Sequence, residues 1–330
     1  MTLFERILAA REITPDNRAY FLSPNYEDVH DPFLLPDMKR AVERLVKAHA
    51  QQEKVVVYGD YDIDGLTATA ALLDAFEQFG FKNISAFIPN RFVEGYGLTT
   101  EAIEAIAGQD ATLVITVDCG SLSHEPIQRA KDLGVDVIVT DHHNVALNQP
   151  PAVAVINPKR LLQDYPNEYD GFALKPESKE ALYPFVDLAG VGVAFKLVQA
   201  LQTQLEGLPK GQEKWLLDLV ALGTVCDIVT LQNENRTFVY WGLKVLQKTR
   251  RVGLRALLRV ADVAPYAVTA RSLGFGLGPR MNAAGRLETA QYSLDLLRTT
   301  NPEQATELAK TLDTMNRQRR QEQDRIYEEA

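Results

Sequence analysis

Five short apolar runs limit what this chain can become: Val55–Val57, Ile84–Ile88, Leu113–Val117, Val137–Val139 and Val153–Ile156. Helical patterns over Leu66–Phe79, Thr100–Ala107 and Glu125–Leu133 separate several of them. Continuous Val/Ile runs alternating with helices predict an α/β fold, with a mostly parallel sheet flanked by helices on both faces. Ligands of such sheets bind at the carboxyl ends of the strands, so functional residues should follow the runs directly. Val55–Val57 is followed by Asp60, Asp62 and Asp64, Leu113–Val117 by Asp118, and Val137–Val139 by Asp141, His142 and His143. One such acid could be an ordinary turn residue; three strand ends carrying acids or imidazoles to one sheet edge call for a common cause.

The remainder frames that core. Residues 1–50 read as a helical lead-in, with Leu3, Ile7 and Leu8, then Ala41, Leu45 and Ala48, at helical spacing around a Pro-containing loop from Ser23 to Pro36. Residues 51–230 hold the candidate catalytic domain, in which 160–185, with Pro166, Pro176 and Pro184, read as a loop-rich connection. Helical patterns follow over Val186–Leu205, Glu213–Thr224, Glu234–Thr249 and Gly253–Val260. The stretch Gly274-Phe275-Gly276-Leu277-Gly278-Pro279-Arg280 is expected to interrupt the helices as a glycine-rich loop within a helical subdomain, 231–300. Residues 301–330 form a long C-terminal connector helix, opened by Asn301 as N-cap and Pro302 at the first position. It has no stop signal, so the expectation is a fragment of a longer protein. No repeat or low-complexity tract is evident.

At 330 residues and 46% apolar composition the chain can bury a large core, and two domains are expected. Charge interrupts every long apolar run, which excludes an apolar membrane-spanning helix, and Met1–Arg6 lacks the order of a signal peptide. Two cysteines, Cys119 and Cys226, are too few for a disulfide framework and suit buried thiols in a reducing cytoplasm. The net charge of −9 hides an asymmetry: residues 244–330 hold 15 Lys/Arg against 10 Asp/Glu, and residues 1–243 hold 20 against 34. The basic part can meet a polyanion or be a solvated helical surface; charge alone leaves both open.

Three aspartates alternating over five residues repel one another unless a cation lies among them. Asp60-x-Asp62-x-Asp64-Gly65 is not a calcium loop, because Ala71 occupies the twelfth position and a strand precedes it. Asp118 is a ligand or the N-cap of the next helix. His142 and His143, adjacent in a chain with five histidines, favour a ligand role. Asp227, closing an apolar helix, is a buried cap or a ligand. Several carboxylates with one or two imidazoles suit Mn²⁺ or Mg²⁺ better than structural zinc. More acids than one ion needs point to two ions, a device for phosphoester hydrolysis in which one activates water and both hold the phosphoryl oxygens. No P-loop occurs, and Gly190-Val191-Gly192 lacks the third glycine of a dinucleotide fingerprint.

Gly59–Gly65, Thr116-Val117-Asp118-Cys119-Gly120, Asp141-His142-His143 and Gly223-Thr224-Val225-Cys226-Asp227 resemble the four ordered motifs of the DHH phosphoesterases. Ile88-Pro89-Asn90-Arg91, Glu94-Gly95-Tyr96-Gly97, Leu188–Gly192 and Gly278–Arg286 are similar to the RecJ branch, the single-strand-specific 5′→3′ exonucleases. The resemblance covers nearly the whole chain. It implies two divalent cations, Mn²⁺ preferred with Mg²⁺ as the alternative. Asp62 would bind the first and Asp64 the second, Asp118 would bridge them as a catalytic residue, and His142 and Asp227 would complete the second. Asp60 would lie near the first. His143 would be catalytic, at the scissile phosphate or leaving oxygen. Arg91, Arg280, Asn282 and Arg286 would hold DNA phosphates or the 5′ end. The partner implied is single-stranded DNA, in DNA repair and recombination, with a single-strand-binding protein and a helicase as further candidates. Two other readings stand beside this one: a DHH phosphodiesterase of short oligoribonucleotides or cyclic dinucleotides, and a non-enzymatic repair or replication scaffold. Tyr58 stands where some relatives carry a metal-binding His, and nothing here matches the second, DHHA1-like domain or the OB-fold that follows in full-length relatives; weakened DNA binding is the expectation.

Overall fold

The computed structural model describes residues 1–92, 95, 97–146, 148–160 and 183–329. Most of the expected loop-rich connection, and Glu94 and Tyr96 of the Glu94–Gly97 motif, lie outside them. The lead-in consists of α1 (Leu3–Ala10), α2 (Pro15–Leu22) and α3 (Met38–Gln51). The stretch between α2 and α3, expected as loop, contains two 3-10 turns, Tyr26–Asp28 and Pro32–Leu34, capped by the Asn25 and Asp31 side chains. Ala41, Leu45 and Ala48 of α3 are fully buried, the face their spacing predicts.

Strand and helix then alternate: β1 (Val55–Gly59), α4 (Ile63–Phe79), β2 (Ile84–Phe87), α5 (Thr100–Ala107), β3 (Leu113–Val117), α6 (His124–Asp132), β4 (Asp136–Thr140) and β5 (Ala154–Ile156). The second part comprises α7 (Gly190–Leu201), α8 (Leu217–Cys226), α9 (Asn233–Leu246), α10 (Val252–Val260), the single turn α11 (Ala270–Ser272), α12 (Gly278–Leu287), α13 (Gln291–Arg298) and α14 (Pro302–Glu329).

The five strands pair in parallel in the order β2-β1-β3-β4-β5. From β1 the chain crosses to β2 on one side and then to β3 on the other, so the strand order reverses between β1 and β3. Such a switch point opens a crevice at the carboxyl edge. One face of the sheet, with Val55, Val57, Ile115 and Val117, packs in a cluster with α3, α4 and α7. The other, with Val56, Tyr58, Val114 and Val137, packs on Ile103 and Ile106 of α5 and Ile127 of α6. Both faces are covered, which is why β1 and β3 read as unbroken apolar runs.

Helix α4 is buried nearly all round and joins the two halves. Leu72 and Phe76 belong to the sheet-side cluster, whereas Ile63, Leu66 and Ala70 pack with residues of α8 to α14. Burying each such leucine or phenylalanine contributes about 1.5–3 kcal/mol. The glycine-rich stretch departs from expectation. Leu273–Leu277 forms a π-helical turn that runs straight into α12, so this segment is helix and not loop. Glycines ordinarily weaken a helix, but a Cβ at Gly278 would lie 2.6 Å from Cys226 Sγ. Close packing, with Leu273, Leu277 and Met281 fully buried, overrides local propensity there. Both cysteines are free, Cys119 buried and Cys226 half-buried.

Candidate metal centre

Strand register builds the site. Gly59 pairs with Val117 and Val117 with Thr140, so Asp60, Asp118 and Asp141 begin from one level at the carboxyl edge. Asp118 turns away at φ 63, a left-handed conformation that Asp tolerates, with its N–H donated to Thr140 O at 2.9 Å. It is not the cap of the following helix; Ser123 holds that position. Asp62 caps α4, accepting the N–H groups of Asp64 and Gly65 at 2.9 and 3.1 Å. That cap turns Asp64 inward, fully buried, where its two oxygens accept Gly190 N–H at 2.6 Å and Val191 N–H at 3.0 Å.

Those amides open α7, so the Gly190–Gly192 segment, noted in the sequence only for an incomplete fingerprint, presents a helix N-terminus to a carboxylate. A Cβ at Gly190 would stand 2.6 Å from Asp118 Oδ1, so only glycine lets α7 come this near. The signal was present as a small-residue start to an apolar helical pattern. Asp227 sits at the C-terminal cap of α8, with its Oδ2 3.7 Å from His142 Nε2.

His142 Nε2 also lies 3.0 Å from Asp118 Oδ1 and 3.9 Å from Asp64 Oδ2. His143 turns the other way, with Nδ1 2.8 Å from Asp141 Oδ1 and 3.9 Å from Asp118 Oδ1. Asp141 organises the turn: Oδ1 accepts the N–H groups of His142 and His143 at 2.7 and 3.1 Å, and Oδ2 accepts Ser121 N–H at 2.9 Å. Asn157, just past β5, donates Nδ2 to Ser121 Oγ and His143 O, both at 2.9 Å. In the sequence Asp141 stands out only as a neighbour of the histidines, and Ser121 and Asn157 belong to no motif. Asn157 was findable, because it too follows a strand.

The electrostatics fit a cation site. Burial, then the Asp62 charge, pushes the Asp60 carboxyl up to about 7 and that of Asp227 up to about 6. Asp64 and Asp118 are raised by burial and by their acidic neighbours. Burial, with the adjacent His143 charge, lowers His142 to about 4, leaving it neutral at pH 7. His143 is raised by its hydrogen bond to Asp141. Burial alone would raise Asp141, but His143 and the backbone amides overcome it and hold the group ionised.

Among the described residues, three sets of potential ligand atoms each lie within 4.8 Å of one another: Asp60, Asp62 and Asp118; Asp64, His142 and Asp227; Asp118, His142 and His143. Asp118 and His142 each belong to two. Asp60 Oδ1, Asp118 Oδ1, His142 Nε2 and Asp227 Oδ2 are buried without a hydrogen-bond partner. Buried polar atoms are normally satisfied, and four orphans converging between raised carboxyls and a neutral imidazole are what a divalent cation requires. The oxygen-rich set with one neutral imidazole suits Mn²⁺ or Mg²⁺.

The other candidates are more dispersed. Tyr58 is fully buried, donates its hydroxyl to Gly97 O at 2.9 Å and stacks on Phe87. The Arg91 guanidinium lies 5.4 Å from the Tyr61 ring centroid, next to the aspartate turn. Arg286 is exposed in the last turn of α12, and its charge also acts on Tyr61. Asn282 has a buried Oδ1 with no partner. Arg280 is tied back, with Nε on Asp313 Oδ1 at 2.9 Å and Nη1 on Gly276 O at 2.7 Å.

A parallel α/β sheet with carboxylate and imidazole clusters at its switch point defines a protein built to hold cations at the strand ends. The family description "DHH family, N-terminal domain" matches residues 54–224. The single-stranded-DNA-specific exonuclease RecJ of Bacillus subtilis is 37% identical over 317 residues, covering 96% of this chain and 37% of that protein. RecJ of Escherichia coli is 39% identical over 298 residues, covering 87% and 48%. Among solved structures, exonuclease RecJ bound to manganese matches with a TM-score of 0.75 at 34% identity, over 89% of this chain and 69% of that one. RecJ of Thermus thermophilus in complex with Mn²⁺ matches with a TM-score of 0.72 at 31% identity, over 98% and 45%. The chain belongs to the DHH family and, within it, is RecJ-like. It spans half or less of the two curated relatives. Among the described residues no helix is long and apolar enough to cross a membrane.

Proposed function

We propose that this chain is the catalytic part of a two-metal exonuclease that hydrolyses single-stranded DNA 5′→3′ to 5′ mononucleotides. The observation that carries the reading is the pair of ligand groups joined by Asp118 and His142, four of whose buried atoms lack hydrogen-bond partners. Two divalent cations, Mn²⁺ preferred over Mg²⁺, would supply Lewis-acid activation of water and charge neutralisation on the phosphoryl oxygens. Asp60, Asp62 and Asp118 would hold the first. Asp64, His142 and Asp227, with Asp118 shared, would hold the second. Solved relatives bound to manganese support this choice of ion.

The chain's own groups do the rest. Asp141 fixes the His143 ring through Nδ1 and favours its protonated form. His143 thus serves as the acid that hands a proton to the departing 3′ oxygen. Arg91, Asn282 and Arg286 would face the strand's phosphates, with Arg280, held by Asp313 and Gly276, beside them. In this reading residues 51–230 are the catalytic domain, 1–50 a lead-in, 231–300 the helical phosphate-contacting part and 301–330 a connector. A cytoplasmic setting suits the two free thiols. A single-strand-binding protein and a helicase are the partners that would deliver the strand.

The test uses 5′-labelled single-stranded DNA with Mn²⁺, beside a duplex, a short oligoribonucleotide and a cyclic dinucleotide. Release of labelled mononucleotide from single-stranded DNA, abolished by Asp118→Ala, is expected. Preference for a short ribonucleotide or cyclic dinucleotide would replace the substrate assignment. Full activity in Asp118→Ala would overturn the mechanism.

A further inference from the structure

Asp64, His142 and Asp227 come from three separate elements, and two chain segments outside the sheet touch them. The first is Asp187–Val191. Its Gly190 and Val191 amides hold Asp64, and the Leu188 backbone is hydrogen-bonded to His142. The second is Asp227–Thr230, which leaves α8 through Ile228, an exposed β-branched residue at φ 64. β-Branched side chains are strained in that left-handed region and do not hold it unaided.

Both segments end on one side chain. Asn235, fully buried in the first turn of α9, donates Nδ2 to Asp187 O at 2.5 Å and to Thr230 O at 3.0 Å. The two hydrogens of one amide join the segment before α7 to the segment after α8. Orientation is fixed by chemistry: both acceptors are carbonyls, and Oδ1 is buried without a partner. Only an NH₂ group can bridge there.

The turn that carries Asn235 is itself anchored. Glu234, fully buried, forms an ion pair with Lys196 of α7 and accepts Tyr183 Oη–H at 2.6 Å and His30 N–H at 3.0 Å. Segment 183–187 is therefore held to α9 at both ends, by Glu234 at Tyr183 and by Asn235 at Asp187. By contrast, Asp60 and Asp118 are set by strand register, and Asp62 by its cap on α4.

We propose that Asn235 is a positioning residue for the Asp64–His142–Asp227 half of the centre, fixing from outside the separation of the segments that hold its three ligands. The inference rests on the two-cation reading above. Asn235→Asp is the sharpest probe, because it keeps the shape and sets a carboxylate against two carbonyls. Mn²⁺ binding to the purified chain is followed by the electron paramagnetic resonance signal of the free ion, with cooperative thermal unfolding as the check on folding. The wild type should bind two ions. Asn235→Asp should weaken one of them by about 10- to 100-fold, the scale for residues that orient metal ligands, and leave the other within about threefold.

Arg251→Met, which breaks the distant Asp74–Arg251–Asp218 network, serves as a destabilised control expected to bind both ions as the wild type does. If Asn235→Asp does not unfold cooperatively, Asn235→Ala, which adds no repulsion, should show the same one-site loss at smaller size. Unchanged binding of both ions, or equal weakening of both, would overturn the proposal. A wild type that binds no Mn²⁺ would instead refute the two-cation reading, before any variant is made.

Discussion

The metal centre and the arginines around α12 both carry charge, and the fold treats them in opposite ways. Asp60, Asp64, Asp118 and His142 are buried and raised or lowered in pKa, and Asp60, Asp118 and His142 retain unsatisfied atoms. Arg91 and Arg286 are exposed, and Arg280 is satisfied within the protein. Desolvated charges gain their full interaction only when a specific ion arrives, whereas solvated ones act through a screened field. The first region should therefore fail sharply when altered and the second gradually.

The largest effect is expected at the shared carboxylate. Asp118→Asn should lower the rate of DNA hydrolysis by roughly 10³-fold or more, because one change removes charge from both ligand groups; single-turnover assays at saturating Mn²⁺ measure it. His143→Gln should cost on the order of 10²–10⁴ in kcat with little change in KM. Because the hydrogen bond to Asp141 raises the His143 pKa, the wild-type rate should fall at alkaline pH as that proton is lost, and the variant should lose this limb.

Without divalent ions the centre is a liability whose sign can be worked out. The carboxyls of Asp60 and Asp227 are raised to about 7 and about 6, and those of Asp64 and Asp118 are raised as well. Between roughly pH 4 and pH 7 these four groups therefore bind more protons folded than unfolded and outweigh His142, whose lowering to about 4 acts the other way. Stability of the metal-free chain should fall as pH rises through that window. Added Mn²⁺ should raise the midpoint of thermal unfolding more at pH 7.5 than at pH 5. An increase of equal size at both would break the contrast between the regions.

Arginine changes should be milder. Arg286→Ala should weaken single-stranded DNA binding a few-fold and reduce the slope of log K against log salt by about 0.7, the share of one phosphate contact. Arg280→Ala should show mainly in unfolding, at about 1–3 kcal/mol, because it leaves Asp313 Oδ1 without its donor while Arg317 still pairs with Oδ2. A large loss of DNA affinity without loss of stability would move Arg280 into the same role as Arg286.

What was legible in the sequence follows from the same division. The strands, the sheet's parallel character and the acids after β1, β3 and β4 were readable because apolar period and strand-end position are local signals. Less was readable where contacts are long-range. Gly278 packs against Cys226, so a stretch with breaker composition is helix. Gly190 and Val191 hold Asp64 from 126 and 127 residues away, and no local pattern announces that. Asp141 was visible as a residue, and three of its side-chain hydrogen bonds are local, to His142 and His143, but the fourth exists only once the turn after β4 meets Ser121.

The central claim is one centre of two ions with Asp118 between them. Crystals soaked in Mn²⁺ and measured at the manganese absorption edge test it directly. The account predicts two anomalous peaks roughly 3.5–4 Å apart, one beside Asp60 and Asp62, the other beside Asp64, His142 and Asp227, with Asp118 touching both. A single peak at saturating Mn²⁺, or two peaks that do not share Asp118, would contradict it.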